Sequence, residues 1–242
     1  QVQQTGYWCG PTATRHVLST RMSNPPTQQQ LANELPTTTN GTDHIGQVTR
    51  VLNKYLGNAF LGARYFLLDN ANAGALDYSK FPDYQLIVLN ELPSISSGLA
   101  TELKTFAQNG GNVLVFPAQT ADLNSYNAFL QGFGVGSLGA FEPVARQASQ
   151  INTEEFVFKD VFLNKSANLR LPSTTGNFKL PQGSGEYILT YRDGIALLAK
   201  YPQAEGALYF SAAPLHEQVN DLVRNGEIFV PMLFKMAKIG RA

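Results

Sequence analysis

The sequence predicts an α/β fold, with a mostly parallel sheet preceded by a helical segment. Three observations carry that expectation. Tyr84-Gln-Leu-Ile-Val-Leu-Asn90 and Gly111-Asn-Val-Leu-Val-Phe116 are short, near-continuous apolar runs, the pattern of strands buried on both faces. Between them Leu99, Leu103 and Phe106 recur at helical spacing and fall on one helix face. Gly110-Gly111 closes that helix, because glycine takes the left-handed conformation at a helix C-terminus without steric cost. Together these make a strand–helix–strand unit, whose crossover is expected to be right-handed.

The remaining elements follow in order. Cys9-Gly-Pro-Thr-Ala-Thr-Arg-His-Val-Leu18 starts a helix with Pro11 in its first turn, a position proline tolerates. Asn24-Pro-Pro-Thr27 breaks it, and Thr27 caps a second helix that runs to Leu35. Thr42 or Asp43 caps a third, with Ile45, Val48, Val51, Leu52 and Tyr55 as its apolar stripe. Arg64–Asp69 reads as a strand and Asp77–Pro82 as a turn. After Phe116 a helix is expected around Ser125–Gly132, then irregular chain over 132–150. Phe156–Leu163 reads as either a strand or a short helix, and Asn168–Gly185 as a polar loop. Tyr187–Tyr191, Ile195–Ala199 and Ala207–Ala212 are expected strands, the first two joined by a hairpin turn at Arg192-Asp-Gly194. Leu215–Lys238 reads mostly as a terminal helix.

Bulk properties narrow the function. The 242 residues carry 18 Lys+Arg and 18 Asp+Glu, and charged residues are only 15%. That balance argues against nucleic acid or an anionic membrane as the main partner. No apolar run approaches the roughly 20 residues a spanning helix needs. Low charge with abundant Asn, Gln, Thr and Ser suggests an exported bacterial protein, extracytoplasmic or secreted. The expected partner is a protein or peptide, and a membrane-anchored parent is one context the reading leaves open. No metal-ligand pattern and no cofactor motif stands out, so none is expected. The one cysteine rules out an intrachain disulfide and marks a thiol whose reactivity matters.

That cysteine sits in Gln3-Gln-Thr-Gly-Tyr-Trp-Cys-Gly-Pro11. A thiol at a helix N-terminus lies in positive potential, which favours the thiolate nucleophile. A glutamine amide just upstream can donate to the oxyanion of acyl transfer. The segment resembles the N-terminal part of papain-like cysteine peptidases of the bacteriocin-leader-processing type. The resemblance implies Cys9 as nucleophile and Gln3 as oxyanion donor. It also implies a histidine at the start of a later strand, followed by Asp or Asn. This chain has three histidines, His16, His44 and His216, and none falls in an expected strand. Without a base a thiol is a weak nucleophile with no proton donor for the leaving group.

The rest of the chain resembles a different family. Leu89–Ala100, the Gly-Gly strand to Phe116, and Phe229–Ala237 look like the soluble C-terminal region of BatA-type, aerotolerance-related Bacteroidetes proteins. That region is similar to class I glutamine amidotransferases, which implies a flavodoxin-like sheet. The two resemblances meet inside Val51–Gly57 and divide the chain into a papain-like segment, 1–57, and an amidotransferase-like domain, 58–242. An amidotransferase needs a cysteine on the turn after the Gly-Gly strand and a His-x-Glu after a late strand. Here the turn reads Pro117-Ala118, and the late strand is followed by Pro214-Leu-His-Glu217. The expected product is a non-catalytic binding or scaffolding module. Its rim is formed by Asn90, Glu91, Asp122, His216 and Glu217, since ligands of open sheets bind beyond the carboxyl ends of the strands. The alternative is a papain-like peptidase with Cys9, Gln3 and His216, assisted by Glu217 or Asp221.

Overall fold

The computed structural model describes residues 3–19, 22–42, 45–56, 65–159, 170–181 and 185–239. Helix α1 (Cys9–Ser19) holds Pro11 in its first turn. Helix α2 (Gln28–Glu34) begins at Thr27, whose hydroxyl accepts from the Gln30 amide while the Gln30 side chain accepts from the Thr27 amide. This reciprocal cap is the one Thr27 predicts. Helix α3 (Ile45–Leu56) follows. Asp43 lies outside the described residues, and Thr42 bonds instead to the Thr37 hydroxyl at 2.9 Å.

The central unit forms as expected. After β1 (Tyr65–Leu68) come β2 (Leu86–Asn90), helix α4 (Ser97–Gln108) and β3 (Asn112–Phe116), with β1, β2 and β3 parallel. Gly110 closes α4 at φ 90°, and the Phe106 ring lies against the Gly111 Cα, leaving no room for a side chain there. Helix α5 is Leu123–Gly132.

Beyond α5 the sequence reading and the structure part company in four places. The stretch read as irregular holds β4 (Phe141–Glu142) and β5 (Arg146–Ile151). The stretch read as polar loop holds β6 (Ser173–Thr174) and β7 (Asn177–Phe178). Phe156–Lys159 is a turn, with the Phe158 and Lys159 amides on the Glu155 carbonyl, and 160–163 lie outside the described residues. The next three strands form as expected: β8 (Glu186–Tyr191), β9 (Ala196–Pro202) and β10 (Ala207–Ser211). Gly194, at φ 80°, makes the β8–β9 turn. The terminal helix is shorter than predicted: α6 spans Gly226–Ile239. Leu215, Leu222 and Val223 are buried, but the chain beneath them is turn and 3₁₀ helix, held by the Asn220 side-chain Oδ1, which accepts from the Leu222 amide.

Eight of the strands assemble as a mixed sheet in the order β1-β2-β3-β10-β9-β8-β5-β6, and β4 pairs antiparallel with β7 in a separate two-stranded sheet. The first half of the mixed sheet, β1-β2-β3-β10, is parallel. Its second half is antiparallel, because short turns joining β8 to β9 and β9 to β10 permit nothing else. Both faces are covered, which explains the all-apolar strands. Leu86, Val88, Leu114, Phe116 and Tyr209 face α1, α2, α3 and α6. Ile87, Leu89, Val113, Val115, Leu208 and Phe210 face α4 and α5. The N-terminal helices thus share a continuous core with the sheet. Among the described residues no helix is long and apolar enough to cross a membrane.

Candidate functional site

The direction of α6 places the site. The Asn112 side-chain Nδ2, at the start of β3, donates to the Met236 carbonyl near the end of α6. At the other end, the rings of Phe116 and Phe229 are 6.4 Å apart. Helix α6 therefore runs antiparallel to β3, and its N-terminus lies over the carboxyl end of the strand. There it meets α1: a Cβ built on Gly226 would lie 2.9 Å from the Cys9 carbonyl oxygen and 3.2 Å from the Ala13 Cβ. Cys9 consequently stands at the carboxyl end of the parallel strands, the end where ligands of open α/β sheets bind. The sequence reading joins Cys9 to this rim only in its alternative; the structure places both at one end of the sheet.

Cys9 is the first residue of α1 and is half-buried, its thiol free. Next to it Gly10 is pressed against the Thr42 side chain. Upstream, Gln3 is exposed, and its amide donates to the Thr5 carbonyl at 2.5 Å. The segment is anchored by a residue that sequence reasoning missed. Gln28 is only 4% exposed, and its side-chain oxygen accepts from the Gln4 amide at 3.0 Å and from the Thr12 hydroxyl at 2.9 Å. A signal for its burial existed. Gln28 shares helical spacing with Leu31, Ala32 and Leu35, all buried, but the run Gln28-Gln-Gln30 reads as polar surface.

The histidines do not join Cys9. His16 is exposed in the last turn of α1, two turns and a rise of roughly 10 Å beyond Cys9. His44 lies outside the described residues. His216 is exposed in the loop after β10, and its Nδ1 accepts from the Gln218 amide at 3.4 Å. Among the described residues no hydrogen bond links Cys9 to a histidine, and no strand carries one. The acids proposed beside His216 hold other partners: Glu217 pairs with Arg224 at 2.9 Å. Asp221 accepts from the Ser173 amide at 2.6 Å and lies 3.3 Å from Arg170.

The rim residues occupy distinct settings. Asn90 ends β2, and its Oδ1 is buried without a hydrogen-bond partner among the described residues. Glu91 follows at φ 54°, a left-handed conformation that a non-glycine residue holds only where its surroundings enforce it. Its amide donates to the Phe116 carbonyl at 2.8 Å. Burial raises the Tyr126 hydroxyl's pKa, and the Glu91 charge adds to that rise. Asp122 caps α5, accepting from the Asn124 and Ser125 amides, while its own amide ties the loop to the Pro93 carbonyl. Among the described residues no group of three or more His, Cys, Asp or Glu side chains is arranged to hold a metal.

A family model described as a Peptidase_C39 like family matches residues 1–97, the stretch holding Gln3, Cys9 and Gln28. No curated protein matches the chain at a significant level. Among solved structures, the cold-adapted β-galactosidase of Rahnella sp. R3 is 12% identical with a TM-score of 0.50, over 100% of this chain and 50% of that one. The cytoplasmic protein STM3548 of Salmonella typhimurium is 12% identical with a TM-score of 0.49, over 69% and 76%. The exo-β-1,4-mannosidase Op5Man5 of Opitutaceae bacterium strain TAV5 is 11% identical with a TM-score of 0.41, over 57% and 22%. The likeness to the Rahnella enzyme is one of α/β fold alone, and this chain spans half of that enzyme's length.

Proposed function

We propose that this protein is a non-catalytic binding or scaffolding module. Its peptidase-like N-terminal segment, residues 1–57, packs on an α/β sheet of flavodoxin-like, glutamine amidotransferase-like ancestry, close to BatA-type proteins and working outside the cytoplasm. The observation that carries this reading is the absence of a base at Cys9: among the described residues, no strand holds a histidine and none bonds the thiol. Helix α6 packs against the start of α1, with Gly226 at Cys9 and Ala13. The amidotransferase-like rim is degenerate in the same way, with buried Ala118 on the turn after β3. What remains at that end is a surface of Asn90, Glu91, Asp122, His216 and Glu217, suited to a protein or peptide partner.

The test is turnover of an activated acyl donor. With p-nitrophenyl acetate, the thiolate attacks the ester carbonyl, nitrophenolate leaves, and water must then cleave the thioester to restore the thiol. We expect at most one equivalent of nitrophenolate per chain above the background of Cys9→Ala. Sustained turnover that disappears in Cys9→Ala contradicts the proposal. One observation favours the alternative peptidase reading, in which Cys9 is the nucleophile, Gln3 the oxyanion donor and His216 the base. Cys9 and the loop carrying His216 both lie at the carboxyl end of the sheet. Sustained turnover lost equally in Cys9→Ala and His216→Ala would support it.

A further inference from the structure

We infer that Gln28 is the latch of a strap formed by residues 3–8, and that this latch sets both the position of Gln3 and the access to Cys9. The inference goes beyond the binding reading and holds whether or not Cys9 turns over a substrate. Its first warrant is the burial of Gln28, 4% exposed on α2, in a helix anchored by its own reciprocal cap at Thr27. A buried side-chain amide is retained where its hydrogen bonds are made, since an unmade one is penalised. The oxygen of Gln28 makes two, to the Gln4 amide at 3.0 Å and the Thr12 hydroxyl at 2.9 Å. The strap and the first turns of α1 are thereby pinned at one atom of α2.

The second warrant is direction. Cys9 and Thr12 are three apart on α1 and so neighbours on one face. Fastening Gln4 beside Thr12 therefore brings Gln3 and Gln4 alongside the first turn. Side chains on a helix tilt toward its N-terminus, so the Cys9 thiol points back toward residues 3–8. The strap folds on itself there, with the Trp8 amide on the Thr5 carbonyl at 3.2 Å. Held by Gln28, it limits approach to the thiol; released, it uncovers the thiol and frees Gln3 from its place.

The experiment measures two things on the full chain: hydrogen exchange at the Gln4 amide, and alkylation of Cys9 by iodoacetamide at a pH where the rate has levelled off. At that plateau thiol ionisation no longer governs the rate, so access does. Gln28→Met keeps the volume but removes the acceptor. It should abolish Gln4 protection and raise the plateau rate about fivefold or more. Gln28→Glu keeps an acceptor for both donors and should stay within about twofold of the parent. Gln4→Pro removes the donor from an exposed residue, where folding is not at stake, and should reproduce the Gln28→Met acceleration. Unchanged plateau rates in Gln4→Pro overturn the inference, as does a Gln28→Met protein that keeps Gln4 protected. The turnover of p-nitrophenyl acetate reports separately on the binding reading, so failure of one leaves the other standing.

Discussion

The two layers that cover the sheet are built in different ways. One, α4 and α5, comes from helices that connect to β3 on either side of it in sequence, so its packing against Val113 and Val115 is local. The other joins the two ends of the chain: α1, α2 and α3 from the start and α6 from the finish. The first layer is a product of its own segment. The second exists only when the chain has closed, and Cys9 sits on its seam, at the contact between α1 and Gly226. A thiol motif carried by the first residues therefore takes its environment from the last helix.

The largest effect that separates the layers should come from their aromatic anchors. Phe229 is fully buried against Phe116, and Phe106 is 3% exposed against Phe81. Truncation of either to alanine should cost about 3–5 kcal/mol in urea unfolding. The two should differ in the native state. Phe229→Ala loosens the seam and should accelerate Cys9 alkylation, whereas Phe106→Ala should leave it unchanged. Equal acceleration by both would break the comparison.

Gly226→Ala sharpens it at a single atom. The new methyl would lie 2.9 Å from the Cys9 carbonyl oxygen, 3.1 Å from its carbon and 3.2 Å from the Ala13 Cβ. Two packed backbones must separate, which should cost about 1–3 kcal/mol, measured as a lower urea midpoint. An unchanged midpoint would mean that α1 and α6 slide freely and that the seam is not tightly packed.

Much of the local layer was legible in the sequence. The apolar runs of β2 and β3, the spacing of Leu99, Leu103 and Phe106, and the glycine pair after α4 interact over short separations, so pattern alone finds them. The closing layer was not. That α1 meets α6 depends on the antiparallel course of α6 over β3, which no local spacing encodes. The start of α6 was misplaced for a related reason: Leu215, Leu222 and Val223 are apolar because their loop is buried, not because it is helical. Strand β5 escaped because Arg146-Gln-Ala-Ser-Gln-Ile151 is polar; only Ala148 is fully buried along it. At the site, the Gln3–Cys9 motif was readable, but the latch at Gln28 and the proximity of the motif to the rim were not.

Smaller effects test the antiparallel half of the sheet. Burial pushes the Tyr191 hydroxyl up to about 12, against the lowering influence of its Thr174 hydrogen bond and Arg146. A group raised in the folded state stabilises fully below its unfolded pKa, about 10 for tyrosine. That contribution is lost as pH rises from there through about 12. Stability measured across this window should fall less steeply in Tyr191→Phe than in the parent; parallel curves would show that Tyr191 does not couple to folding. Tyr201 offers the smallest effect. Its hydroxyl is buried with no hydrogen-bond partner among the described residues, so removing it leaves nothing unpaired. Tyr201→Phe should be neutral or stabilising by up to about 1 kcal/mol, and a clear loss in thermal unfolding would reveal a partner.

The central claim is that Cys9 stands at the carboxyl end of the sheet with no histidine among the described residues to act as its base. The most direct test is the pH profile of Cys9 alkylation by iodoacetamide in the parent and in His16→Ala, His44→Ala and His216→Ala. Our account predicts four superimposable profiles. A profile displaced by removal of one histidine would identify a thiol–histidine pair at Cys9 and contradict the account.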